Sequence, residues 1–245
     1  MKVFKHNDLA TYEKTQVLRS NAKFDFCKVS YRDVIRWHKV ISNDLSQKKF
    51  NYRICCLGSR SGIEVDLFRT KFSNNYIVRL IYFLYPSFKN QGQVKIIRII
   101  NYFLKIFFSK LIYPIGRKKI SFKYPSYTYG VEINPDAKRK DILIANFDFI
   151  PSEWDKKFKV IFSNSFDQSM DPYETSKKWS NLADNQLSYF ILCFSYAEPD
   201  YNDPTGLITF EDLEKLFPGE IIYRSENEHS YNEVIIKREN NKITS

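Results

Sequence analysis

The stretch YRICCLGSRSGIEVDLFRTKF (Tyr52–Phe72) decides the fold. Tyr52–Leu57 is a short apolar run stopped by Gly58, as expected for a strand buried on both faces of a parallel sheet. From Ser61 the pattern becomes helical, with Ile63, Val65, Leu67 and Phe68 available for packing. A glycine turn between a buried strand and a helix lets backbone approach a ligand, with the helix N-terminus nearby. The whole chain has seven glycines, so two of them in Gly58–Gly62 call for a backbone reason.

Outward from that turn, strands and helices alternate. Upstream, Tyr31 to about Lys48 places Val34, Trp37, Ile41 and Leu45 on one apolar helical stripe, while residues 1–30 are weakly patterned. Downstream, strands are expected at Tyr127–Ile133, Asp141–Phe147, Phe158–Ser165 and Ser188–Tyr196. A helix opened by Pro172 follows the third of these, and a short helix over Thr209–Phe217 carries Thr209 and Asp212 at capping-box spacing. Two late runs, GEIIYRSE and YNEVIIKRE, suit a terminal antiparallel pair. The predicted class is α/β: a doubly wound, mostly parallel sheet with that antiparallel pair and a helical insertion. Residues 1–50 form an N-terminal helical segment, and 51–245 a core interrupted at 73–128.

Composition bounds the rest. A hydrophobic fraction of 43% supports a packed core and excludes general disorder. The N-terminus shows no secretory pattern. Cys55 and Cys56 read as small buried hydrophobes, and Cys27 and Cys193 stand far away, so reduced thiols in a cytoplasmic protein are expected. No residues have metal-ligand spacing, so no metal is expected. The net charge of +10 is unevenly placed. Between Asp66 and Glu132 lie twelve Lys and Arg residues and no acid, which leaves the remainder slightly negative.

Glu132 ends the second strand, where an acidic side chain can accept bonds from both hydroxyls of a ribose. With the later ANFDF and SNSFDQSMDP segments in order, the sequence resembles the class I (Rossmann-like) S-adenosylmethionine-dependent methyltransferases. The likeness covers Arg53–Phe72 and Tyr129–Tyr196 and is to proteins that pair an LG-R-G-E first loop with an SN-DH--DP fourth-strand motif, here SNSFDQSMDP. It implies S-adenosylmethionine as cofactor. Gly58, Ser59, Arg60 and Gly62 would form the loop against the methionine part, with Glu64 just beyond. Glu132 would hold the ribose, and Ile133 and Asn134 would flank the adenine. Asn146, Phe147 and Asp148 occupy the loop that contacts the adenine amino group, the usual acid aligning with Asn146 and leaving Asp148 as substitute. Ser163 and Asn164 would face the methyl donor. Gln168 stands where related sequences often carry histidine. The candidate proton acceptors are then Asp167 and, second, Asp171, which also reads as an ordinary N-cap before Pro172. The expected activity is methyl transfer to a small molecule or glycan, such as a lipid-linked sugar. An RNA methyltransferase and a non-catalytic cofactor-binding assembly or regulatory protein are the rivals.

The basic insertion bears on partners. Val94–Tyr113 sets Lys95, Arg98, Asn101, Lys105 and Ser109 as a polar stripe on an apolar helix. A charge at every turn argues against a membrane-spanning helix. Three readings stay open: a helical subdomain packed on the core or on a second subunit in a homodimer, an interfacial helix on an anionic membrane, and a nucleic-acid surface. The second would make the protein peripheral on a membrane's inner face.

Overall fold

The computed structural model describes residues 1–6, 8–23, 27–46, 53–72, 128–137, 139, 141–226 and 231–239. The helix expected over 94–113 and most of the insertion lie outside the described residues. The central sheet has seven strands in the order β4-β3-β2-β5-β6-β9-β8. These are β2 (Ile54–Leu57), β3 (Thr128–Glu132), β4 (Ile142–Ile144), β5 (Val160–Ser163), β6 (Leu187–Phe194), β8 (Glu220–Ser225) and β9 (Asn232–Glu239). Neighbours from β4 to β6 run parallel, and β9 is antiparallel to both β6 and β8. This is the doubly wound, mostly parallel sheet with a terminal antiparallel pair that the sequence predicts. A second, two-stranded ladder pairs β1 (Lys2–Val3) with β7 (Thr205–Gly206).

Strand alternation builds two cores. Cys55 and Leu57 of β2, with Phe190 and Leu192 of β6, face the layer of Trp154, Phe158, Trp179 and Phe217. Ile54 and Cys56, with Tyr189 and Ile191, face the opposite layer of Val34, Trp37, Ile41 and Phe68. The first layer contains α4 (Pro172–Leu182) and α5 (Phe210–Leu216); the second contains α2 (Tyr31–Asp44) and α3 (Ile63–Phe72). All four cysteines are buried free thiols, and burial raises each thiol's pKa well above its ordinary value.

Several boundaries are shorter than expected. α2 ends at Asp44, so Leu45 caps it instead of extending the stripe, while a Ser30–Asp33 capping box starts it. β4 stops at Ile144 because the chain turns out of the sheet, with Phe149 N–H donating to Asn146 O at 2.9 Å. α4 ends at Leu182, and the capping box of α5 is formed as expected. The larger difference is at the N-terminus, where the weakly patterned segment contains a 14-residue helix, α1 (Leu9–Ala22), capped by Asp8.

A buried ion cluster pins the sheet beneath the first turn. Arg139 donates to Asp66 on α3 at 2.7 Å and to Asp141, before β4, at 2.8 Å, and Arg69 also bonds Asp141. Burial alone would raise the Asp141 pKa, but Arg139 and Arg69 outweigh it and hold the group at about 2. Gly62 is needed beside this cluster: its φ is +85° and an added Cβ would lie 2.5 Å from the Arg139 guanidinium. Replacing Arg139 by Leu would leave Asp66 and the buried Asp141 to share Arg69. Denaturant unfolding should register a loss of roughly 3–5 kcal/mol, and a loss below about 1 kcal/mol would show that the cluster behaves like a surface pair.

Candidate functional site

Strands on either side of β2 leave in opposite directions: β3 follows through α3 on one side, and β5 lies on the other. In an open α/β sheet such a reversal leaves a crevice beyond the carboxyl ends of the strands. The turn after Leu57 sits in it. Gly58 has φ +75°, and a Cβ there would meet Ser165 Oγ at 2.6 Å. The loop amides are not left open. Gly58 and Ser59 donate to Val131 O at 2.9 and 3.1 Å, and Gly62 donates to Ser59 O at 2.7 Å. Arg60 is left-handed (φ 44°), a costly conformation for a residue with a side chain. Its N–H donates to Glu132 Oε2 at 2.6 Å.

Glu132 is the hub. It is 4% exposed, and its carboxylate also accepts from Asn134 N at 3.1 Å and Ser20 Oγ at 2.9 Å. Ile133 and Asn146 line the same cavity, together with Gly58 and Arg60. Asn146 donates to Glu13 Oε1 at 3.0 Å. Phe147 also lines it, although its ring packs edge-on against Trp179. Asp148, expected as the substitute acid, instead accepts from the Thr175 hydroxyl of α4, so the polar side chain presented to the cavity from this loop is Asn146.

The fourth-strand segment divides. Ser163 is fully buried; its hydroxyl donates to Leu57 O at 3.1 Å and accepts from Ser165 N at 3.1 Å, tying β5 to β2. Asn164 accepts from Ser165 Oγ at 3.2 Å. Ser165, which sequence reading passed over, and Gln168 line the cavity. Asp171 is exposed and accepts from Tyr173 N and Glu174 N at 3.1 Å each, the N-cap role weighed for it. Asp167 is different: it is 8% exposed, and its Oδ1 is buried without a hydrogen-bond partner.

Sequence reasoning expected a helical N-terminal segment but did not place α1, which lies across the crevice. Tyr12, Gln16 and Ser20, spaced by four, are its buried residues, and all line the cavity with Arg19. Tyr12 OH donates to Gln168 O, and Arg19 bonds Asp203. The available signal was that spacing after an Asp8 N-cap, which an apolar-stripe search overlooks because two of the three positions are polar. With α1 in place the cavity is about 30 Å³, room for water where small-molecule sites have ~300–1,000 Å³. His6 packs against Tyr12, Tyr201 and Phe4, with ring centroids 5.1, 4.7 and 5.4 Å away. His38 lies edge-on to Phe72 and bonds Ser42, a structural setting. Among the described residues no three His, Cys, Asp or Glu side chains are grouped as metal ligands.

No family model matches the chain, and no curated protein matches it in sequence. Several solved structures are similar over most of the chain. One is the 1,6-didemethyltoxoflavin N1-methyltransferase of Burkholderia thailandensis with its substrate and S-adenosylhomocysteine bound (TM-score 0.48, 9% identity, covering 96% of this chain and 92% of that one). A SAM-dependent methyltransferase from Aquifex aeolicus has TM-score 0.42 and 12% identity, covering 95% and 99%. The antibiotic-resistance methyltransferase Kmr has TM-score 0.42 and 10% identity, covering 81% and 92%. What this cleft can do has to come from its own side chains.

Four acids in and around the crevice loops have raised pKa values, Asp148 among them at about 6. Burial is the largest cause in each case. It lifts Glu64 (2% exposed, on the first turn of α3) to about 7, against the pull of Arg60. It lifts Asp167 to about 7, reinforced by Asp203 and opposed by Arg19 and Lys28. Burial raises Glu132 as well, and the bonds from Ser20, Asn134 and Arg60 oppose it by favouring the charged form. An acid raised in the fold stays protonated there while its unfolded counterpart ionises. The stability it contributes is therefore complete below its unfolded pKa of ~4, declines between ~4 and the folded value, and is gone above about 7. Unfolding stability should fall from pH 5 to pH 7.5, and Glu64→Gln should flatten that slope by up to one proton. An unchanged slope in denaturant titrations would mean that Glu64 is ionised in the native state.

Proposed function

We propose that the chain is an S-adenosylmethionine-dependent methyltransferase acting on a small molecule or a glycan. The observation that carries the reading is Glu132, a buried carboxylate at the crevice of a doubly wound sheet, with one oxygen already receiving a hydroxyl. The donor chemistry fits a nucleoside: a carboxylate to take two ribose hydroxyls, Ile133 as an apolar flank for a base, and Asn146 as an amide beside it. Gly58–Gly62 supplies the loop for the methionine end. The fit is in kind and position; the space itself is filled by α1.

The cofactor supplies, when bound, an electrophilic methyl group, and the protein contributes placement and proton handling. Glu132 and the first loop fix the nucleoside end. Asp167, next to the crevice, has an unpaired Oδ1 that can accept the proton of a hydroxyl acceptor. Its raised pKa suits that task near neutrality, whereas Asp171 is occupied as a cap. Walls of mixed charge support a small polar acceptor over RNA. Lys14, Arg19 and Lys23 face Asp200 and Asp203 across an outer groove, with no uniform basic track for a phosphate backbone among the described residues. Docking on an anionic membrane through residues 94–113 is a proposal from sequence alone. Among the described residues no helix is long and apolar enough to cross a membrane.

Calorimetry with S-adenosylhomocysteine should give a saturable site in the wild type, weakened roughly tenfold or more by Glu132→Ala. Equal affinity in both proteins would remove Glu132 from the site. Transfer of labelled methyl into a glycan or small-molecule fraction should fall by ~10²–10⁴ in Asp167→Asn, with loss of the rise in rate through pH about 7. A variant with wild-type rate and pH profile would exclude Asp167 as the base.

A further inference from the structure

α1 is docked in an unusual way for a surface helix. Its buried positions are Tyr12, Gln16 and Ser20, while Leu9 and Leu18 are exposed. α2 is the opposite case, burying Val34, Trp37 and Ile41. A helix held by apolar burial loses that gain outright when it leaves, whereas polar contacts can be exchanged for bonds to water or to a ligand at small net cost. α1 is attached mainly by the second kind.

Several of its partners are groups assigned to the cofactor, while Gln16 donates to Asn202 O and Arg19 to Asp203 on the outer side. Ser20 Oγ donates to Glu132 Oε1 at 2.9 Å, and Asn134 Nδ2 reaches Ser20 Oγ at 3.3 Å and Asn21 Oδ1 at 2.7 Å. Glu13 accepts from the Asn146 amide at 3.0 Å, and Tyr12 OH donates to Gln168 O. A hydroxyl on one oxygen of Glu132 and an acceptor on the Asn146 amide are what the ribose and base of a nucleoside would present. The chain before α1 is separately anchored by the β1–β7 ladder and by Phe4 N–H on Pro204 O at 2.6 Å, so the helix can leave without freeing the terminus.

Resting on the cofactor reading of this cleft, we infer that α1 is an internal competitor: its Ser20 hydroxyl stands in for a nucleoside hydroxyl on Glu132, and the site opens when the helix undocks. The apparent affinity for cofactor is then the intrinsic affinity scaled by the open fraction. Removing the Ser20 hydroxyl weakens the closed state alone.

The test uses the full chain and Ser20→Ala, with S-adenosylhomocysteine as the probe. Without ligand, Ser20→Ala should speed amide exchange across residues 9–22 and leave α4 unchanged. In calorimetry the variant should bind roughly tenfold tighter than wild type, the value of one hydrogen bond to a charged group. Ligand should speed exchange in α1 of the wild type. Weaker binding by Ser20→Ala with α1 protected by ligand would overturn the inference, making α1 part of the ligand's own wall, and would leave the cofactor reading standing. Unchanged ligand-free exchange in the variant would also overturn it, independently of any ligand. Failure of both proteins to bind would overturn the cofactor reading and this inference together.

Discussion

A carboxylate buried at the end of a parallel strand has to be hydrogen-bonded or neutralised, and the ends of three elements are arranged around meeting that need for Glu132. Arg60 takes a left-handed conformation that brings its N–H to one oxygen. The chain after β3 turns so that Asn134 N–H reaches the other. Ser20 of α1 completes the set from more than a hundred residues away. Without Glu132 the first loop would lose the partner of its strained residue, and α1 would lose its innermost contact. The two neighbouring acids show the alternative outcome: Glu64 and Asp167 lack a comparable set of donors and hold their protons up to about 7.

The sheet was legible in the sequence because each strand is a local event. ICCL in β2 and the apolar run of β6 are buried on both faces, and their hydrophobicity says so without reference to partners. The capping box at Thr209 is likewise local. Element ends were less legible, since they depend on where the chain can leave the sheet: β4 is three residues long because Asn146 and Phe149 form a turn there. α1 was illegible to a search for apolar stripes, since tertiary hydrogen bonds select Gln16 and Ser20 for its inner face.

The site divided along the same line. Residues at or just beyond a strand end, Gly58, Arg60, Glu132, Ile133 and Asn146, line one cavity. Those whose side chains had a free choice of partner do not line it. Asp148 turned to Thr175, Ser163 to Leu57, and Asp171 to its own helix. Gly62, expected as part of a ligand loop, is also packed against the Arg139 side chain. A motif fixes the backbone route through a crevice more firmly than it fixes where each side chain points.

The polar docking of α1 links fold to function, since the groups that make the crevice suit a nucleoside are also those that close it. A crystal structure of the full chain with S-adenosylhomocysteine tests this most directly. The expected result is ribose hydroxyls on both oxygens of Glu132, base against Ile133 and Asn146, and Ser20 withdrawn from Glu132. A ligand bound elsewhere, with the Ser20–Glu132 bond intact at 2.9 Å, would contradict it.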